Sequence, residues 1–240
     1  MRILVTNDDS VSASQLIPLI RWCKKLGDVT VVVPKVEQSA KSHGIELIKP
    51  FEIKQVALAD DITAWVADST PADCVRFAFF GLKEEYDLVV SGINKGFNVG
   101  SDILYSGTLA ATMEAALMGV KAVAFSTSPE YYEHAVEHLD TAWEFIQNHK
   151  LFELNDTYNV NIPENPKGIK ITRQGGRYYS DDYENIGGFM YQAIGKCVHE
   201  NSGDLSLDTD ATISGYISVL PVTVDKTNKE IFEKLSYLNK

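Results

Sequence analysis

Asp8 and Asp9 stand side by side behind Asn7, at the end of an apolar run over residues 3–5. Two adjacent carboxylates repel, and each loses solvation near the mouth of a buried strand. A cation that draws both in is one reason to place them there; a plain solvated turn is the other. Further along, Ser39 offers a hydroxyl and Asn94 a neutral carbonyl oxygen. Together the four make an all-oxygen set without His or Cys, suited to a hard divalent cation such as Mg²⁺, Mn²⁺ or Ca²⁺. Read singly, Ser39 is also a turn or helix-cap serine, and Asn94 a turn residue ahead of Gly96.

The richest stretch is SGINKGFNVGSDILYSGTLAATMEAALMG, residues 91–119. Gly92, Gly96 and Gly100 keep the loop thin enough for backbone amides to approach a ligand. Ser106, Gly107 and Thr108 then open a helix whose first-turn amides are unpaired, a natural seat for phosphate. Neither GxxxxGK[ST] nor GxGxxG occurs, so this is no Walker loop and no dinucleotide fingerprint. His134 and His138 are four apart on a predicted helix, where a solvated face is the plainer reading.

These residues must be held by something. Apolar runs at 3–6, 29–33, 87–94 and 122–127 read as strands, and 16–24, 72–82, 108–119 and 130–149 as helices, with Gly27 and Gly119 as helix stops. Strands this uniformly apolar suit a parallel sheet covered on both faces. The alternation implies right-handed βαβ units, hence a doubly wound α/β sheet with the ligand site at the carboxyl ends of its strands. Asp8 and Asp9, the loop holding Ser39, and Asn94 all fall at such ends. Residues 44–56 and 63–68 alternate apolar with charged side chains and read as short antiparallel strands at one side. After residue 155, Gly and Pro separate short strands, a β-rich appendage with a hairpin arm and a terminal helix at about 227–238. The expected division is therefore a catalytic core, 1–155, and an extension, 156–240.

Lys and Arg number 22 against 33 Asp and Glu, a formal net charge of −11 that disfavours any stable nucleic-acid partner. Three scattered cysteines without ligand spacing argue against a disulfide framework or structural zinc. The opening apolar run is broken by Asn7, unlike a signal peptide or membrane span, so the expectation is a cytoplasmic protein without a membrane partner.

The segments ILVTNDDS, EQSAKSHGI, STPADCV, DLVVSGINKGFNVGSDILYSGTLAATMEAALMG, YNVNIP, ITRQGGRYY and SGYISVLPVTVDKT occur in this order along nearly the whole chain. The chain thereby resembles the SurE-type survival proteins, metal-dependent nucleoside-monophosphate phosphatases. The resemblance implies a Rossmann-like core, a protruding β-hairpin and a C-terminal segment used in oligomerisation. It implies one divalent cation, Mg²⁺ or Mn²⁺, on Asp8, Asp9, Ser39 and Asn94. Three departures stand out: Ser10 and Ala40 replace usual glycines, and Ser14 and Gln15 replace a usual Pro-Gly.

The expected reaction is hydrolysis of a nucleoside monophosphate, a 5′- or 3′-nucleotidase, by a metal-activated water. Asp9 can also orient or deprotonate that water. Amides around Ser106, Gly107 and Thr108 would stabilise the phosphoryl charge, with Asn98 also in reach of it. His43 either protonates the leaving alkoxide or bonds a strand end, and Tyr105 either stacks on a base or packs. A non-catalytic nucleotide- or sugar-phosphate-binding protein is the alternative; it needs no paired carboxylates. The apolar, glycine-rich GGFMYQAIG at 187–195 is a fair subunit contact, and a homodimer or homotetramer is expected.

Overall fold

A computed structural model describes residues 1–239. Strand β1 (Arg2–Thr6) is flanked by β2 (Asp28–Pro34) and β5 (Leu88–Lys95), both parallel to it. The full sheet has nine strands in the order β3-β4-β2-β1-β5-β6-β7-β11-β8. Here β3 is Ile53–Ala59, β4 Ile62–Ala67, β6 Lys121–Thr127, β7 Thr157–Ile162, β8 Ile169–Ile171 and β11 Ile217–Val222. From β1 the chain goes first to β2 on one side and later returns to β5 on the other. That reversal makes the carboxyl ends of β1 and β5 the switch point at which open α/β sheets bind ligands.

The β1 side chains alternate between two apolar layers. Ile3 and Val5 pack with α1 (Leu16–Lys24) and α4 (Leu139–Asn148), through Leu19, Ile20, Leu139 and Ile146. Leu4 faces the other layer, built on α2 (Pro71–Arg76) and α3 (Gly107–Leu117) through Cys74, Val75, Ala111 and Ala115. A strand buried on both faces has to be apolar at every position, which explains the unbroken run.

Several sequence expectations shift. The helix expected over 130–149 is a 3₁₀ turn, Tyr132–His138, followed by α4. Gln15 draws the Glu133 carbonyl aside at 3.3 Å, while Ser14 donates to the Glu133 carboxylate at 2.7 Å, so the first turns are pinned to α1 instead of to themselves. The helix over 72–82 ends as α2 and continues as a π-helical turn, Phe77–Gly81, with Leu82 N–H donating to the Phe77 carbonyl at 2.9 Å. Gly27 is no left-handed cap; a Cβ there would lie 2.0 Å from the Met1 carbonyl oxygen, so close approach is what requires it. Of residues 44–56 only β3 forms, paired antiparallel with β4. Before it, the Glu46 carboxylate accepts from the Ile48 and Lys49 amides at 2.7 and 2.9 Å, which closes a local turn.

Beyond residue 155, β7, β8 and β11 enter the central sheet, β7 in parallel register with β6. What stands apart is an antiparallel hairpin, β9 (Asp182–Gly187) with β10 (Met190–Ile194), exposed along its length, and the exposed α6 (Lys229–Leu235). A short helix α5 (Asp208–Ile213), unread in the sequence, precedes β11.

Candidate active site

Asp8 leaves β1 directly into the first turn of α3. It is buried at 4% exposure, and its Oδ1 accepts the Thr108 hydroxyl at 2.6 Å. Gly107 permits this approach: a Cβ there would sit 2.9 Å from the Asp8 Cβ and 3.0 Å from its Oδ2. Asp9 turns towards β5, where its Oδ2 accepts from the Lys95 amide at 2.9 Å. The third loop is tied in by the Gln38 amide, which donates to the Asp8 carbonyl at 2.8 Å. So the three rim loops do converge, and Ser39 lies one residue from that last contact.

The electrostatics are those of an unneutralised pair. Burial raises the Asp8 carboxyl above its usual range, against the pull of the Thr108 hydroxyl and amide. Asp9 is pushed up to about 7, by burial first and by the charge of Asp8 second, while the Lys95 amide works the other way. Glu37 adds a further negative influence on both. A group that is buried, anionic and unpaired is stable only if protonated or if a cation joins it.

The donor set fits a hard cation. The Asn94 amide nitrogen donates to the Gly96 carbonyl at 2.7 Å, which leaves its Oδ1 free. A register shift in the β5–β6 pairing between Ser91 and Asn94 re-aims that side chain at the strand end. Ser39 is exposed and donates its hydroxyl hydrogen to Glu37 at 2.6 Å, so its oxygen lone pairs remain. The buried Asn7 Oδ1 likewise lacks a partner. No group of three or more His, Cys, Asp or Glu is arranged for a metal among the described residues. Two carboxylates with neutral oxygens beside them make an all-oxygen set of the kind that suits a hard divalent cation.

The loop after β5 leads into the start of α3, where unpaired amides face outward, a geometry that can receive an anion. Ser106 is the N-cap, its Oγ accepting from the Leu109 amide at 3.1 Å. The Gly107 and Thr108 amides open the helix with no carbonyl inside it to receive them. Asn98 is buried, its amide nitrogen donating to Ser126 Oγ at 2.8 Å and lying 3.4 Å from Thr108 Oγ1. Tyr105 is more than half exposed and its carbonyl receives the Ser42 amide at 3.0 Å, which brings the His43 loop beside Ser106. His134 and His138 both pack against Tyr131, and His134 contacts the Glu137 carboxylate at 3.0 Å.

Sequence reading missed the group that holds His43. Glu114, buried on α3, contacts His43 Nε2 at 2.7 Å through Oε2 and Arg76 at 3.0 Å through Oε1. Burial would raise its carboxyl, but the His43 and Arg76 hydrogen bonds outweigh this and lower it. A signal was present: Glu114 is the one charged residue in its helix. Support from beyond residue 155 was also missed. The buried Asp208 accepts the Gly100 and Gly175 amides at 2.9 and 2.7 Å, and Asp102 accepts the Tyr179 amide at 2.9 Å.

Two of the three departures prove to be conformational. Ser10 has φ 79° and Ala40 φ 58°, the left-handed region in which glycine rests without strain.

The model of the family "Survival protein SurE" matches residues 3–181. A protein of Thermosipho melanesiensis, named 5'-nucleotidase SurE, is 37% identical over 98% of this chain and 96% of its own. One of Alkaliphilus metalliredigens with the same name is 37% identical over 100% of this chain and 99% of its own. The crystal structure of the SurE protein from Aquifex aeolicus superimposes with a TM-score of 0.80, covering 100% of both chains at 32% identity. By its sequence over three-quarters of its length, and by its fold throughout, this chain belongs to the SurE survival-protein family.

Proposed function

We propose that the chain is a cytoplasmic 5′-nucleotidase, hydrolysing nucleoside monophosphates with one divalent cation held by Asp8, Asp9, Ser39 and Asn94. One observation carries the proposal: two carboxylates meet at the switch point of the sheet, Asp8 raised by burial and Asp9 by burial and by Asp8, and neither forms an ion pair among the described residues. The names of its full-length relatives support the same reading.

The cation, when bound, supplies charge neutralisation on a phosphate oxygen and acidifies a water for in-line attack. The remaining work falls to the chain. The Gly107 and Thr108 amides, at the positive end of α3, receive the phosphoryl oxygens. Asn98 positions the Thr108 side chain, which in turn positions Asp8. Asp9, held towards the end of β5 by the Lys95 amide, would orient or deprotonate the attacking water. His43, oriented by Glu114 through Nε2, keeps Nδ1 for the leaving oxygen. Residues 1–155 would carry these groups; of 156–240, β7, β8 and β11 complete the sheet and the hairpin arm would serve in assembly as a homodimer or homotetramer.

The test is release of inorganic phosphate from a panel of nucleoside monophosphates with Mg²⁺ or Mn²⁺, and with EDTA. Turnover that EDTA abolishes is expected. Tight nucleotide binding without turnover at saturating metal would replace the enzyme by a binding module.

A further inference from the structure

A buried tyrosine hydroxyl ordinarily finds a hydrogen-bond partner. In this chain the buried Tyr86 donates to Glu84 at 2.8 Å, and the buried Tyr158 to the Leu151 carbonyl at 2.7 Å. Tyr132 differs. It is 4% exposed, and its hydroxyl is enclosed without a partner among the described residues. Its ring stands beside Asp9. The Lys95 amide donates to Asp9 Oδ2 at 2.9 Å, and the Lys95 ammonium lies 5.7 Å from the centre of the Tyr132 ring. Burial first, and the charge of Asp9 second, raise the Tyr132 phenol above its usual range. Glu133 and Asp8 add to this, and the Gln15 amide works against it. The turn that begins with Tyr132 is fixed by Ser14 and Gln15, whose side chains take Glu133. Those two residues stand where the family resemblance implies Pro-Gly, so the third departure has a structural consequence as well.

We propose that Tyr132 is a positioning residue of the cation centre: its hydroxyl donates to Asp9 Oδ1 when a cation is bound, and keeps that carboxylate turned towards it. The inference rests on the metal-dependent reading above and deepens it. Asp9 Oδ2 is taken by the Lys95 amide, whereas no hydrogen bond reaches Oδ1 among the described residues. A donor without an acceptor therefore stands near an acceptor without a donor. Carboxylates that hold metals are themselves held by hydrogen bonds, which fix their orientation. Such bonds are often long before the ligand arrives and tighten afterwards. Lys95 strengthens the donor, since a cation over the ring face draws electron density from the hydroxyl oxygen. One structural acceptor competes. The buried Gln15 Oε1 also lacks a partner, and a bond to it would make Tyr132 a brace for the turn alone. A carboxylate is the better acceptor, because charge-assisted hydrogen bonds are the stronger kind.

The experiment measures the Kd for Mn²⁺ by calorimetry, and the melting temperature of the metal-free protein, in wild type and Tyr132→Phe. Phenylalanine keeps the ring, its packing and the contact with Lys95, and removes the hydroxyl alone. The metal-free variant should melt no lower than wild type, because the hydroxyl it loses has no partner there. Its Kd for Mn²⁺ should rise about tenfold. Phosphate release should fall at limiting Mn²⁺ and recover at saturation. Tyr158→Phe is the control: it loses a hydroxyl that is bonded, so it should melt lower and keep the wild-type Kd. An unchanged Kd in Tyr132→Phe overturns the proposal, and a lower melting temperature alongside it gives the hydroxyl to Gln15. A Kd raised equally in Tyr158→Phe makes the effect a general loosening and overturns the proposal too. Absence of Mn²⁺ binding in wild type overturns the cation reading itself, and the role of Tyr132 with it.

Discussion

At the scale of single residues, Asp8 and Asp9 set an antagonism between stability and function. Asp8→Asn and Asp9→Asn each remove one of two repelling, buried charges, so the metal-free variants should melt above wild type while losing most metal-dependent phosphate release. Near wild-type turnover in both would refute their role. The same pair sets a pH dependence. A carboxyl raised in the folded state binds its proton more tightly there than in the unfolded chain, where the value is 3.8. Its contribution is therefore fully present below about pH 4 and lost as the pH rises towards about 7. The melting temperature of the metal-free protein, taken from pH 4 to 8, should favour Asp9→Asn over wild type increasingly as the pH rises. Mn²⁺ competes with that proton, so metal-induced stabilisation should fade below about pH 7. Ala40 gives a separate test. At φ 58° an alanine is strained by about 1–2 kcal/mol, and glycine returns part of that as chain entropy. Ala40→Gly should stabilise by about 0.5–1 kcal/mol in urea denaturation, and a loss of stability would contradict the strain.

At the scale of elements, α3 is the part on which most functions converge. Its amino end faces Asp8, and its one charge, Glu114, holds the His43 loop and α2 together. Removing that carboxylate leaves His43 and Arg76 facing a space without a counter-charge. Because both partners are partly exposed, Glu114→Ala should cost about 1–3 kcal/mol. Glu114→Gln, which retains hydrogen-bonding capacity, should recover part of the stability. If Glu114 orients His43 for the leaving group, Glu114→Gln should also lower kcat at the alkaline side of the pH profile more than it raises KM. Equal stability of Glu114→Ala and wild type would deny the element its clasp.

At the scale of the whole molecule, the β9–β10 hairpin, like α6, is an element that the chain by itself leaves uncovered. Phe189 is 99% exposed, and Tyr183, Ile186, Met190 and Tyr191 are exposed beside it. A lone two-stranded hairpin is marginal in water, and an exposed cluster of this kind marks an association surface. Replacing residues 181–195 with a short Gly-Ser linker spares the Asp102 contacts to Tyr178 and Tyr179, and should reduce the oligomeric mass while leaving metal-induced stabilisation. Light scattering decides: an intact chain that runs as a 26.6 kDa monomer at micromolar concentration would refute assembly through the arm.

The central strands and the convergence of the rim loops on Asp8 were legible because their causes are local. An unbroken apolar run such as residues 3–5 has no use except between two helical layers, and the carboxyl end of such a strand faces the ligand rim whatever the loops do. The carboxylate pair and the amide-rich start of α3 could be read at that level; the glycine demand at Ser10 came only from the family resemblance. What only the tertiary structure decided depends on partners distant in sequence. The expected helix at 130–149 breaks because Ser14 and Gln15, over a hundred residues away, take its Glu133. Glu114 was visible as a lone charge, but its purpose lies in His43 and Arg76, on other elements. The strands after residue 155 read as an appendage because Gly and Pro separate them, yet β7, β8 and β11 complete the sheet, and Asp208 braces the Gly100 turn. Periodicity tells which faces a segment buries; it carries no record of which remote backbone those faces will meet.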